Sequence, residues 1–264
     1  MYRRLLVFIC ILAAQNSYAQ TWELGVSAGS SGYTGDLNPT KIYKFTDVGV
    51  GAHAKRNFDG NWSLKFNFLQ SKIRAADSIS SSVYEQNRNL SFYSPVTEAS
   101  LLIEFNFFKY LPNNVSENGI HKLTPYLFTG LGGIHFNPKT KYQGQEVLLK
   151  PLQTENASYS KYSLVIPFGT GVKYNIKGNW NLSGEIGYRT VYNDYLDDVS
   201  GKYPDRNSLN SSLAAALSDR SGERTGTNLG ITGVQRGNLR KRDTYMFSGI
   251  SLSYTFVSTK CPMF

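Results

Sequence analysis

The stretch 245–256, close to the end of the chain, alternates between apolar and polar side chains. One face carries Met246, Ile250, Leu252, Tyr254 and Phe256, and the other carries Tyr245, Gly249, Ser251, Ser253 and Thr255. A period of two is typical of a β-strand, whose successive side chains point to opposite faces. Such a strand separates an apolar medium on one side from a polar or packed interior on the other.

Seven further stretches share this alternation, so the sequence predicts an all-β chain of eight strands. They are 21–29, 46–55, 62–68, 100–107, 126–136, 162–176 and 180–191. Short and long connections alternate between them, as they do in barrels of the bacterial outer membrane. The short ones are 56–60, 109–123 and 177–179, and the long ones are 30–44, 74–89, 138–160 and 192–242. We therefore predict an eight-stranded antiparallel transmembrane β-barrel of the outer-membrane type with long external loops.

Residues 1–19 have the pattern of a secretory signal peptide. Arg3 and Arg4 precede an apolar run at 5–14, and small residues precede Gln20. The run is shorter than the roughly 20 residues that a membrane-spanning helix needs. We expect residues 20–264 to form a single barrel domain in the outer membrane of a Gram-negative cell. Because eight strands bring the chain back to its starting side, we expect the N-terminus and the tail 257–264 to be periplasmic.

Charged side chains lie on the polar face of most predicted strands. They are Glu23, Lys55, Lys65, Glu104, Lys173, Glu185 and Arg189. Eight strands enclose room for side chains and little else. We expect structural ion pairs across a closed lumen from Glu23, Lys65, Glu104, Lys173, Glu185 and Arg189. Two alternatives stay open: a catalytic or conducting site built from these charges, and a soluble barrel whose apolar face points inward.

Composition excludes several classes of function. The formal net charge of +9 favours contact with anionic lipid head groups or an acidic partner, and export makes nucleic acid a poor partner. The histidines, His53, His121 and His135, have no zinc-binding spacing. No side chain has the setting of an activated nucleophile. We expect no enzyme activity, no cofactor and no metal.

Three segments stand out beyond the strand pattern. The first holds Tyr33, Gly35 and Asp36, and the second holds Asp194, Asp197 and Asp198. The third is Lys260-Cys261-Pro262, just beyond the last predicted strand. Turn chemistry explains the first segment, because Gly permits positive φ and Asp bonds its own backbone. For the second, loop capping or pairing with nearby arginines is favoured over calcium, because no twelve-residue calcium loop accompanies the acids.

Together these segments resemble the PorG-like outer-membrane barrels of the type IX secretion system of Bacteroidetes. The resemblance covers the whole chain after residue 19. It rests on Glu23-Leu24-Gly25, on Tyr33 with Gly35-Asp36-Leu37, on the run 194–200, and on Lys260-Cys261-Pro262. It implies an accessory component of a protein export machine, not the conduit itself. It also implies association with a periplasmic ring built from a lipoprotein and a partner subunit. The segment 220–242 departs from these motifs.

Further expectations concern the surfaces that partners would meet. We expect Lys260, Cys261, Pro262 and the turn 109–123 to dock the ring, with Cys261 as a disulfide tether or an inert thiol. The basic segment 220–242 would bind phosphates of lipopolysaccharide in the outer-membrane lipid, or would be a flexible solvated loop. Residues 208–218 predict a short helix over the barrel mouth. The alternative function is a small outer-membrane channel or ligand-binding porin-like barrel.

Overall fold

The computed structural model describes residues 21–39, 44–111, 121–238 and 240–256. The predicted signal peptide, the tail with Lys260, Cys261 and Pro262, and the centre of the 109–123 turn lie outside this part of the chain. The described strands are β1 Thr21–Thr34, β2 Phe45–Asn57, β3 Trp62–Ala76, β4 Ser91–Asn106, β5 Leu123–Phe136, β6 Lys139–Tyr142, β7 Gln145–Leu148, β8 Tyr162–Lys177, β9 Trp180–Val191 and β10 Thr244–Phe256.

Eight of these strands close into an antiparallel barrel, which confirms the predicted fold. β1 pairs with β2 and with β10, and a β3–β4 pairing completes the ring. The short strands β6 and β7 form a hairpin outside the ring, joined to β4 where Tyr93 pairs with Lys139. Closure leaves the barrel without an unpaired edge, as a sheet in lipid requires. We call the end with the connections 58–61, 107–122 and 178–179 the turn end, and the opposite end the loop end.

Several strands extend further towards the loop end than the sequence predicted. β1 continues to Thr34, β3 continues to Ala76, and β4 begins at Ser91. In these extensions small and polar residues interrupt the apolar pattern of the outward face. The backbone ladder continues there because pairing with a neighbouring strand does not require an apolar side chain.

The outward face of the barrel is apolar, and the inward face is polar near the turn end. On β1, Trp22, Leu24 and Val26 are exposed, whereas Glu23 is buried. Trp62 and Trp180 are also exposed near the turn end, where a membrane interface favours aromatic side chains. Tyr110, close to the same end, differs from these tryptophans. It is buried, and its hydroxyl donates to Asn181 Oδ1 at 2.7 Å.

Strand β5 reverses the simple rule that the more apolar face meets lipid. Tyr126 and Phe128 are buried in the lumen, while Leu127 and Leu131 are exposed on the outside. Tyr126 needs a polar partner, and its hydroxyl donates to Glu185 Oε2 at 3.2 Å. The sequence offered two apolar faces on this strand, so alternation alone did not orient it.

The helices are short and lie in the long connections at the loop end. They are Val83–Arg88, Ser212–Ser218 and Gly222–Thr225, with 3-10 turns at Asp77–Ile79, Lys150–Leu152 and Arg206–Ser208. The helix predicted within 208–218 is present, and the Ser211 side chain caps it by accepting from Ala214 N at 3.0 Å. Within the described ranges, no helix has the length and apolar character needed to cross a membrane.

The lipid-facing assignment predicts a position-dependent penalty for charge. Val26 and Ile231 are 62% and 68% exposed, but Val26 lies on the outward face of β1 and Ile231 lies in a long connection. We expect Val26→Arg to destabilise the barrel by about 2–4 kcal/mol in lipid vesicles. We expect Ile231→Arg, the matched control, to leave its stability unchanged. Denaturant unfolding in vesicles measures both, and equal losses would contradict a lipid-facing β1.

Candidate functional site

A charge-balanced network lies in the lumen and extends from Glu23 near the turn end to Arg189 nearer the loop end. All six predicted ion-pair residues lie there, joined by Lys55 and Glu98. Its pairs, as side-chain N to O distances, are Lys55–Glu23 2.8 Å, Lys55–Glu104 3.7 Å, Lys65–Glu104 3.5 Å, Lys65–Glu185 2.9 Å, Lys173–Glu104 2.6 Å, Arg189–Glu98 3.4 Å and Arg189–Glu185 3.8 Å. Four carboxylates thus meet four cations. Glu98 was not among the predicted residues because the predicted fourth strand began at residue 100.

Glu104 is the centre of this network. Its carboxylate contacts Lys173, Lys65 and Lys55, and the side chain is 1% exposed. Lys173 also donates to Asn106 Oδ1 at 2.8 Å, and Ser253 donates to Glu23 Oε1 at 2.5 Å. Buried charged side chains are stable only when they are paired and hydrogen-bonded. The network therefore bridges the lumen from wall to wall.

An apolar core fills the lumen towards the loop end. It consists of Tyr33, Leu37, Ile73, Leu90, Phe92, Val96, Ile134, Phe136, Leu149, Val165, Val191, Leu196, Val199, Leu217 and Tyr245. Strand residues and loop residues both contribute to it. At its junction with the charged network, the Tyr245 hydroxyl donates to Glu98. The long connections therefore pack onto the barrel as part of its core.

We call the described parts of these connections, 35–39, 77–90, 137–161, 192–238 and 240–243, the cap. Two buried arginines tie its loops together. Arg88 donates two 2.7 Å hydrogen bonds to Asp77 and also bonds the backbone carbonyl oxygens of Arg236 and Asp36. Arg236 pairs with Glu155 at 2.8 Å and donates to the carbonyl oxygens of Ser218 and Asp198. The cap is thereby one connected structure over the loop end.

The basic segment 220–242 does not form the single basic surface that the sequence suggested. Arg236 is buried inside the cap. Arg220 forms a two-pronged pair with Glu223, and Arg242 lies 3.8 Å from the ring centroid of Tyr192. Arg240 and Lys241 remain exposed. Part of the segment is thus a structural element of the cap.

Three carboxylates from distant parts of the sequence meet at the base of the cap. Asp36, Asp197 and Asp243 each offer one oxygen, and these oxygens lie within 4.8 Å of one another. The Tyr33 hydroxyl lies 2.7 Å from Asp197 Oδ2 and 2.8 Å from Asp243 Oδ1, and its single hydrogen is shared between these two oxygens. The backbone N–H of Leu196 donates to Asp243 Oδ2 at 3.0 Å. We call Asp36, Asp197 and Asp243 the carboxylate cluster.

Burial makes ionisation of these carboxyl groups unfavourable. It raises the pKa of Asp36 to about 7, against the lowering effect of the hydrogen bond from the Asn238 backbone. Burial, and then the negative charge of Asp243, raise the pKa of Asp197 well above its ordinary value. Burial and the charge of Asp36 do the same to the pKa of Asp243. Within the cluster, the charges of Asp36 and Asp243 thus oppose the ionisation of Asp197, and the charge of Asp36 opposes that of Asp243.

Comparisons with known proteins place the chain in a family. Residues 2–221 match the family described as a domain of unknown function, DUF6089. The chain belongs to this family. The matched range includes Asp36 and Asp197 and ends before Asp243. No curated protein sequence matches the chain.

Solved structures of bacterial β-barrels are similar in form to this DUF6089 chain. One is Ail, the attachment invasion locus protein of Yersinia pestis, in complex with the heparin analogue sucrose octasulfate. It has a TM-score of 0.42 and 10% identity, over 90% of this chain and 100% of Ail. Neisserial surface protein A has a TM-score of 0.41 and 10% identity, over 92% and 100%. Outer membrane protein OprG from Pseudomonas aeruginosa has a TM-score of 0.41 and 9% identity, over 91% and 97%. Such low identities transfer no ligand and no activity.

The acidic motif residues of this family member lie in three environments. Asp36 of the first segment joins Asp197 of the second in the carboxylate cluster, beside the Tyr33 hydroxyl. Asp198 turns away and accepts from Thr154 Oγ1 at 2.6 Å and Tyr159 OH at 2.5 Å. Asp194 accepts from Ser200 Oγ at 2.7 Å. Asp194, Asp197 and Asp198, the acids for which calcium was the less favoured alternative, thus have different hydrogen-bond partners.

Asp243 is the cluster residue that the sequence analysis missed. It immediately precedes β10, and it belongs to no motif. The register between β1 and β10 shows why Asp243 lies in the cluster. Thr34 pairs with Thr244, so the residues next to them, Gly35 and Asp243, must be neighbours. A side chain on Gly35 would collide with Asp243 Oδ1 and the Tyr33 hydroxyl, which explains glycine at that position.

Proposed function

We propose that the chain is a non-enzymatic outer-membrane barrel that serves the type IX protein secretion machinery as an accessory, anchoring component. In this role it docks a periplasmic ring that contains a lipoprotein and a partner subunit. The observation that carries the proposal is the filled lumen, with ion pairs near the turn end and an apolar core near the loop end. A barrel filled in this way is a scaffold and not a conduit. The specific machine is inferred from the sequence resemblance, which rests on Tyr33, Asp36, the run 194–200 and the Cys261 segment.

The docking surface in this proposal is the turn end. If the loop end faces the outside of the cell, the connection 107–122 and both chain ends face the periplasm. Phe107 and Phe108 are about half exposed there. The ring centroids of Phe108 and His121 are 5.0 Å apart. In the sequence, the tail with Lys260, Cys261 and Pro262 follows β10, whose last residue lies at this end. We assign the docking of the ring to the turn and to this tail.

Co-purification from mildly solubilised membranes tests this role. We expect ring subunits to be recovered with the full-length barrel and lost when the chain is truncated after Phe256. Arg240→Ala, which alters an exposed residue of the cap at the opposite end, is the matched control and should retain them. Recovery of the intact barrel without ring subunits would argue strongly against the secretion role.

The same preparation separates this role from the alternative of a small channel. A lumen bridged by ion pairs should show no stable conductance steps in a planar bilayer. Reproducible steps from the wild-type protein would favour the channel. Contact between lipopolysaccharide phosphates and the exposed Arg240 and Lys241 remains a proposal of its own, and binding that survives alanine at both positions would refute it.

A further inference from the structure

The carboxylate cluster has the geometry of a cation site. Asp36, Asp197 and Asp243 are 2%, 1% and 1% exposed, and their oxygens lie within 4.8 Å of one another. Calcium binds oxygen at about 2.3–2.6 Å, so two ligands on opposite sides of one ion are separated by about 5 Å. A single calcium ion can therefore reach all three carboxylates.

One oxygen of Asp36 is unpartnered in this buried setting. Asp36 Oδ1 faces the backbone of 237–238 and accepts the N–H of Asn238. Asp36 Oδ2 is buried and has no hydrogen-bond partner in the part of the chain that the structure describes. A buried carboxylate oxygen without a partner is costly, and in native structures such a group commonly marks a bound water or ion. With Oδ1 occupied by the backbone, Oδ2 is the atom of Asp36 that is free for a ligand.

The charges around the cluster also favour a cation. Among the described residues, no lysine or arginine nitrogen lies within 4.0 Å of these three carboxylates. Arg88 reaches the same loop, but its guanidinium is bonded to Asp77 and contacts only the backbone carbonyl of Asp36. If the three carboxyl groups ionise together, their charges repel strongly at this separation where water is excluded. A divalent cation would relieve that repulsion.

The donor set selects the class of cation. The three carboxylates and the Tyr33 hydroxyl are all oxygen donors, which suit a hard ion such as calcium or magnesium. Magnesium requires oxygens at about 2.0–2.1 Å in near-ideal octahedral geometry, whereas calcium accepts wider and less regular arrangements. The separations, all within 4.8 Å, fit the wider and less regular coordination of calcium.

We propose that Asp36, Asp197 and Asp243 bind one calcium ion, which fastens the first and last long loops of the cap to each other. Asp36 follows β1, while Asp197 and Asp243 lie at the two ends of the connection between β9 and β10. The ion would thus join the connection between β1 and β2 to the connection between β9 and β10 at the loop end. This departs from the sequence-based expectation of no metal, and it is independent of the secretion role.

Calorimetric titration of calcium into the full-length protein tests the site. The protein is refolded in a non-ionic detergent, free of lipopolysaccharide, because lipid phosphates also bind calcium, and it is first stripped with a chelator. We expect one site with a Kd of about 10⁻⁴ M or tighter, and weaker binding of magnesium. Asp36→Asn and Asp243→Asn should each weaken calcium binding by about tenfold or more. Asp198→Asn, a buried acid outside the cluster, should leave the affinity unchanged.

Proteolysis of the wild-type cap supplies a second measurement that does not depend on any variant folding. Calcium should slow cleavage of the cap relative to chelator, while the barrel strands stay protected in both. No calcium binding, a preference for magnesium, or unchanged binding in the Asp36 and Asp243 variants would each overturn the proposal. Ring co-purification is measured separately, so failure here would leave the secretion role standing.

Discussion

Glu104→Gln is expected to destabilise the barrel by about 3–5 kcal/mol, the usual cost of removing one partner from a buried ion pair. Glu104 contacts Lys173 at 2.6 Å, Lys65 at 3.5 Å and Lys55 at 3.7 Å, and its side chain is 1% exposed. Without it, three buried lysines share the carboxylates of Glu23 and Glu185. Glutamine keeps the size of the side chain, so the loss reports the charge and not a cavity.

Denaturant unfolding of the protein in vesicles, followed by the gel shift between folded and unfolded barrel, measures this loss. Glu146→Gln is the matched control, because Glu146 pairs with Lys139 but is exposed. Exposed pairs contribute little to stability because water screens them. Equal effects of the two variants would contradict a dry, bridged lumen.

A double variant separates charge balance from packing. Glu104→Met with Lys173→Met removes one charge of each sign, so that Lys55 and Lys65 keep Glu23 and Glu185 as partners. Replacement of a buried ion pair by apolar groups is often neutral. We therefore expect the double variant to be clearly more stable than Glu104→Gln. A double variant as unstable as the single one would show that Glu104 acts through hydrogen-bond geometry and not through charge.

The strand pattern predicted the barrel because lipid and lumen impose opposite demands on the two faces of a strand. β1 and β10 follow that rule near the turn end, where their inward residues are small or polar. β5 departs from it, because Tyr126 and Phe128 fill the lumen against Glu185. The hydroxyl of a tyrosine lets a largely apolar side chain form hydrogen bonds in a polar lumen. The alternation of apolar and polar residues does not distinguish such a tyrosine from one that faces lipid.

The candidate site was predicted in parts but not as a whole. The motif residues Tyr33, Asp36 and Asp197 stood out in the sequence, and Asp243 did not. Their meeting depends on closure of the barrel, which was predicted, and on the register between β1 and β10, which was not. The predicted first strand ended at residue 29, five residues short of the Thr34–Thr244 pair that brings Asp243 to Gly35.

Arg236→Ala is expected to open the cap while the barrel stays folded. The Arg236 guanidinium pairs with Glu155 at 2.8 Å and donates to the carbonyl oxygen of Ser218 at 2.9 Å. Glu155 in turn accepts the backbone N–H groups of Ser200 and Gly201, both at 3.1 Å. Truncation leaves the Glu155 carboxylate buried without its cation, a loss of about 3–5 kcal/mol. At about 1.4 kcal/mol for each factor of ten, cap cleavage should accelerate by about 100-fold or more.

A broad-specificity protease added to the folded protein measures the opening of the cap, because the change removes a basic residue that trypsin would recognise. Arg240→Ala is the matched control, since Arg240 lies in the same basic segment and is exposed. It should be cleaved at the wild-type rate. Arg236→Lys keeps the positive charge but loses the planar set of hydrogen-bond donors. Its cleavage rate should therefore lie between the wild-type rate and that of Arg236→Ala. Wild-type cleavage of Arg236→Ala would mean that the apolar core beneath the cap, and not the buried arginine, holds the loops on the barrel.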